Sequence, residues 1–107
     1  MDRVYISGQI TGNKNFVKEF EKREKELKSL GYFPVNPVAI YSRLKISLGR
    51  EPTYREIMDE DIRVLKRCDY INFLDNWNKS RGAKEERSVA VKNNIPELKI
   101  KALSNRW

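Results

Sequence analysis

The stretch from Cys68 to Glu86 constrains the fold most. Tyr70–Leu74 is short, apolar and rich in strand formers. Asp75–Ser80 is polar, and a helix follows from near Gly82. A strand that ends in a loop and opens a helix is the building unit of a parallel α/β sheet, and ligands collect at that kind of strand end. Advancing 100° per residue along the helix, Glu86 falls among Ala83, Val89 and Ala90, whereas Glu85 points away. A carboxylate on a buried face is costly unless something uses it.

The rest of the chain repeats the alternation. Val4–Ser7 reads as a first strand and Gly8–Lys14 as the loop after it. That loop has neither the lysine-serine ending of a P-loop nor the GxGxxG spacing. Asn15 is placed to cap a helix over Phe16–Leu30, which Gly31 stops. Its apolar face is Phe16, Phe20, Leu27 and Leu30, and the Lys/Glu mixture between them reads as a solvated face. Tyr32–Val35 reads as a second strand, and Pro34 and Pro37 make it an edge strand or stop it early. Asn36–Pro52 reads as a long connection holding a short helix around Val38–Leu44. Thr53 and Glu56 form a T-x-x-E capping box. The helix it opens has a stripe of Tyr54, Ile57, Met58, Ile62 and Leu65, with Asp61 inside the stripe. A helix over Gly82–Asn94 and a last short strand over Leu98–Lys101 complete the pattern. Strands alternating with helices imply one α/β domain whose parallel sheet is covered on both sides.

Composition narrows the chemistry. The 107 residues suit a single domain. No apolar run approaches a membrane span, and the N-terminus enters a strand directly, so neither a membrane segment nor a signal peptide is expected. The single cysteine, Cys68, fits a reducing, cytoplasmic setting and reads as a small buried hydrophobe. There is no histidine, which removes Ser-His and Cys-His nucleophiles and most zinc sites. No metal and no cofactor is expected, and acid–base work falls to carboxylates, tyrosine or lysine. The formal charge of +7 suits either anionic partners, nucleotide or nucleic acid, or simply a solubilising surface.

Two carboxylates near strand ends, Glu86 and Asp61, suit glycosyl chemistry. A glycosidic bond breaks through an oxocarbenium-like state that a carboxylate stabilises or attacks, while a second acid serves the leaving group. Three segments carry a resemblance: Val4-Tyr-Ile-Ser-Gly-Gln-Ile-Thr-Gly12, Asp61-x3-Leu65-x2-Cys68-Asp69 and Ser80-x-Gly-Ala-x2-Glu86-x3-Ala90. Together, over roughly residues 3–94, the chain resembles the nucleoside 2-deoxyribosyltransferase superfamily, which includes the 2′-deoxynucleoside 5′-monophosphate N-hydrolases. It is most similar to the small branch common in phages and bacteria. The resemblance implies a three-layer α/β/α sandwich, flavodoxin-like in strand order. It implies Glu86 as the nucleophile, Asp61 as the acid that helps the base leave or orients the sugar, and Tyr5 as the hydroxyl that holds the carboxylate. Gly8, Gln9 and Ile10 would contact a 5′-phosphate or the sugar edge, and Ser80, with Arg81 and Gly82, the 5′-phosphate. Trp77 either stacks on a base or simply packs, and Ser80 either meets phosphate or merely caps its helix. A homodimer or larger homo-oligomer, in a bacterium or a phage-infected host, goes with the resemblance.

Two other classes compete. A non-catalytic nucleotide-binding or sequestering protein would keep the pocket without needing Glu86 as a nucleophile. A nucleic-acid-binding domain would use the late Lys/Arg excess, but the chain lacks the aromatic-basic interleaving of a sheet that stacks bases.

Overall fold

In the computed structural model, which describes residues 1–100, the chain runs β1 (Arg3–Ser7), α1 (Phe16–Ser29), β2 (Phe33–Val35), α2 (Pro37–Leu48), α3 (Tyr54–Leu65), β3 (Tyr70–Phe73) and α4 (Arg81–Lys92). A 3-10 turn at Trp77–Lys79 sits between β3 and α4. The sheet is parallel, in the order β2-β1-β3. β1 is central, pairing Val4 with Pro34 on one side and with Tyr70 on the other. Pro34 is harmless on an edge strand, where a missing N–H breaks no central ladder.

Alternation along β1 sets the layers. Val4 and Ile6 pack with Phe20 and Leu27 of α1 and with Leu74. Tyr5 packs on the opposite face with Ile40 of α2, Leu65 of α3, Ile71 and Ala90 of α4. The result is the three-layer α/β/α sandwich, with α1 alone on one face and α2, α3 and α4 on the other. No helix among the described residues is long and apolar enough to cross a membrane.

Helix signals act as expected at α3, where Thr53 and Glu56 make both bonds of the capping box. They were stronger than expected at α2. Asn36–Pro52 is no loose connection: α2 fills Pro37–Leu48. Asn36 accepts a bond from the Val38 N–H, Pro37 occupies the first turn, and Gly49 closes the helix at φ 69°. The solvated reading of α1 also needs a correction. Arg23 and Glu26 form an ion pair at 3.1 Å with both side chains largely buried. Arg23 also donates to Asn72 Oδ1 at 2.6 Å and to the Phe73 carbonyl at 3.2 Å, which pins α1 to the end of β3. Leu30 of the expected apolar face stays half-exposed.

The last strand is reduced to one parallel bridge, Ile71 with Glu97. Ile71 N–H donates to the Pro96 carbonyl and Leu98 N–H to the Ile71 carbonyl. Lys101, the end of that expected strand, and the tail to Trp107 lie outside the described residues.

Candidate functional site

A cavity of about 650 Å³ opens at the carboxyl ends of β1 and β3, within the range that holds small-molecule ligands. Glu86 and Asp61 both line it, and both are buried, at 5% and 3% exposure. α4 delivers Glu86 because its small residues, Ala83 and Ala90, let that face approach the sheet. β1 meets it with two hydroxyls two residues apart, on one side of the strand. Tyr5 Oη donates to Glu86 Oε2 at 2.5 Å, and Ser7 Oγ donates to Glu86 Oε1 at 2.7 Å. The Tyr5 hydroxyl also acts on Asp61, favouring its ionised form against the larger effect of burial. Asp61 Oδ1 has no hydrogen-bond partner among the described residues.

The electrostatics follow. Burial first, and then the neighbouring Glu86 charge, push the Asp61 carboxyl well above the usual carboxylate range. Burial also raises Glu86, but the bonds from Tyr5 and Ser7 oppose the rise by favouring its ionised form. Burial and the two carboxyls raise the Tyr5 phenol, which stays protonated. Tyr5 has a single hydroxyl proton. It goes to Glu86. The two carboxyls titrate as a pair, and the hydrogen bonds assign the shared proton to Asp61 and the charge to Glu86.

The mouth is different in character. Ser80 caps α4, its Oγ accepting from the Ala83 N–H at 3.0 Å. Lys79 and Arg81 line the cavity there, and the Arg81 guanidinium lies 5.0 Å from the centre of the Tyr54 ring. A helix N-terminus beside two cations is electropositive. The remaining walls are apolar, from Phe16 and Phe20 of α1, Val38 of α2, and Ile57 and Met58 of α3.

A family model matches residues 2–98 of the chain. The chain belongs to the family described as a domain of unknown function, DUF4406. No curated protein matches it.

In this DUF4406 domain the residues singled out in the sequence divide into two groups. Tyr5, Asp61 and Glu86 come together as one cluster. Gly8, Ile10, Ser80, Arg81 and Gly82 line the cavity around it. Gly8 has a packing reason to be glycine: a Cβ there would stand 2.6 Å from Leu74 Cδ1. Gln9 and Trp77 are not among the lining residues. Gln9 turns into its own loop, its Nε2 donating to the Thr11 carbonyl. Trp77 packs 5.0 Å from the Phe73 ring with the Arg87 guanidinium over it, and of its two expected roles the structure shows packing. Cys68 is buried among apolar neighbours, and burial pushes its thiol up to about 11. Sequence reasoning missed Ser7, whose signal was its place two residues after Tyr5 on the same strand face. It also missed the wall residues Phe16, Phe20 and Tyr41, which no local pattern distinguishes from core. Among the described residues no group of three metal-ligating side chains occurs.

Proposed function

We propose that the protein cleaves the N-glycosidic bond of deoxynucleosides or their 5′-monophosphates, as an N-glycosidase or a deoxyribosyltransferase. The observation that carries this reading is the pairing of a doubly hydrogen-bonded Glu86 with a second buried carboxyl, Asp61, at the wall of one cavity. A Glu86 oxygen attacks C1′ of the sugar. The C1′–N bond breaks, its electrons pass to the base, and the Asp61 proton neutralises the leaving nitrogen. The sugar is left as an ester on Glu86. Water or a second base then attacks C1′, Asp61 takes up the incoming proton, and the Glu86 carboxylate is regenerated.

The apolar walls suit a planar base, and the Lys79–Arg81 mouth suits an anionic 5′-substituent. The resemblance of the three sequence segments supports the same reading, and with it a homo-oligomer working in the cytoplasm on a small-molecule nucleoside or nucleotide.

The test is base release. Wild type and Glu86→Ala are incubated with the four deoxynucleosides and their monophosphates, and free base is followed by chromatography. Wild type is expected to release base, and the variant to lose at least about a thousandfold in rate, as expected for removal of a nucleophile. Adding an acceptor base then separates transferase from hydrolase. No release from wild type overturns the reading for these substrates and favours a nucleotide binder, whose affinity Glu86→Gln would leave intact.

A further inference from the structure

Ser7 stands behind Glu86 rather than in the cavity. It is fully buried and is not among the lining residues. Its backbone is held at the last β1–β3 rung, opposite Phe73, with its carbonyl accepting from the Leu74 N–H at 2.8 Å. A valine would suit a buried strand position as well, and a buried hydroxyl is unfavourable unless bonded. The hydroxyl's one proton goes to Glu86 Oε1 at 2.7 Å.

We infer that Ser7 is a positioning residue for Glu86, fixing the plane of its carboxylate so that it faces the cavity. The inference rests on the glycosidase reading for its catalytic consequence, though not for its geometry. Tyr5 alone would hold one oxygen and leave the carboxylate free to swing about it. With Ser7 on the other oxygen, both are anchored from β1. Each oxygen keeps a second lone pair, and Glu86 lines the cavity. The Ser7 bond also favours the ionised form, which is the form that attacks.

Other charged and titratable groups around Glu86 are Tyr5 of β1, Asp61 of α3, Glu85 of α4 in its bond to Arg55, and Lys79 and Arg81 at the mouth. None is removed in a Ser7 variant, and Asp61 titrates together with Glu86, so a shift of the pair toward a higher Glu86 pKa reports on the lost Ser7 hydroxyl. The experiment follows the Glu86 side-chain carbon by NMR across pH in wild type and Ser7→Ala. The same proteins are assayed for kcat and KM on whichever substrate releases base. Ser7→Ala is expected to raise the apparent Glu86 pKa by about one unit, the size of one charge-assisted bond. It is expected to lower kcat about tenfold at neutral pH, with KM within about twofold, and to recover part of that loss as pH rises. Ser7→Cys, similar in size with a weaker donor, gives an intermediate shift and reads the same titration should the alanine variant not fold.

An unmoved Glu86 titration overturns the inference, even if thermal stability falls. A shifted titration in a protein that releases no base upholds the positioning role and removes the glycosidase reading.

Discussion

The two faces of β1 are built from neighbouring residues and do opposite things. Val4 and Ile6 enter a purely apolar cluster with Phe20, Leu27 and Leu74. Tyr5 and Ser7, between and beside them, carry hydroxyls to a buried carboxylate. The same strand therefore supplies stability on its α1 face and a polar cluster on its α3/α4 face. The polar cluster runs from Tyr5, at the middle of the strand, to Ser7 at its carboxyl end. Around the Tyr5 side chain, Ile40, Leu65, Ile71 and Ala90 close the same face as ordinary core. The division teaches where folding energy is surrendered: two buried carboxyls in one site weaken the fold, and the apolar cluster on the opposite face offsets the loss.

The sharpest way to test the division is to damage the α1 face alone. Leu27 is fully buried and is not among the residues that line the cavity. Leu27→Ala is expected to cost about 2–5 kcal/mol of stability, measured by denaturant unfolding. Base release per folded molecule should stay near wild type under native conditions. A large loss of activity in the folded variant would mean that the two faces are coupled rather than separate.

The opposite substitution relieves the polar face. In the unfolded chain Asp61 titrates near its ordinary 3.8, and in the fold burial and Glu86 raise it. Between those two values the folded state binds more protons than the unfolded. Stability contributed by this group is therefore fully present below 3.8 and is lost as pH rises through the raised value. Asp61→Asn removes that titration while keeping the shape. It should flatten the fall in Tm between about pH 5 and about pH 9, and at the alkaline end stabilise the protein by about 1–2 kcal/mol, while base release drops steeply. A wild-type Tm that rises over the same range would show that Asp61 is ionised and favourably paired.

The contrast between the faces also explains how much could be read in advance. Glu86 and Asp61 were legible because each breaks the helical pattern around it: a carboxylate among alanines, and a carboxylate inside a Tyr-Ile-Met-Leu stripe. The strand order and layers were legible through the alternation and the resemblance. α2 was underread although all of its signals lie in the sequence, with Asn36 and Pro37 at one end and Gly49 at the other. Its two apolar runs are broken by Arg43 and Lys45, so periodicity hid what the caps announce. The buried Arg23–Glu26 pair was illegible because only a tertiary partner, Asn72 at the end of β3, separates it from the exposed pairs on the same helix. Ser7 was overlooked for a different reason: its place two residues after Tyr5 is in the sequence, but serine at a strand end ordinarily meets solvent.

Trp77 gives the smallest expected effect. An aromatic in the loop between β3 and α4 invites the idea of a stacking platform for a base. Its ring is instead occupied, with Phe73 on one side and Arg87 over it, and it lines a separate cleft with Arg23 and Asn72. Trp77→Ala is therefore expected to lower stability by about 1 kcal/mol, the scale of an aromatic pair beyond area burial, and to leave KM for the released substrate within about twofold. A Trp77→Ala variant whose KM rises tenfold with Tm unchanged would place the indole on the substrate after all. The 3-10 turn Trp77–Lys79 would then have to move on binding, because Lys79, at its end, already lines the cavity that Trp77 does not reach.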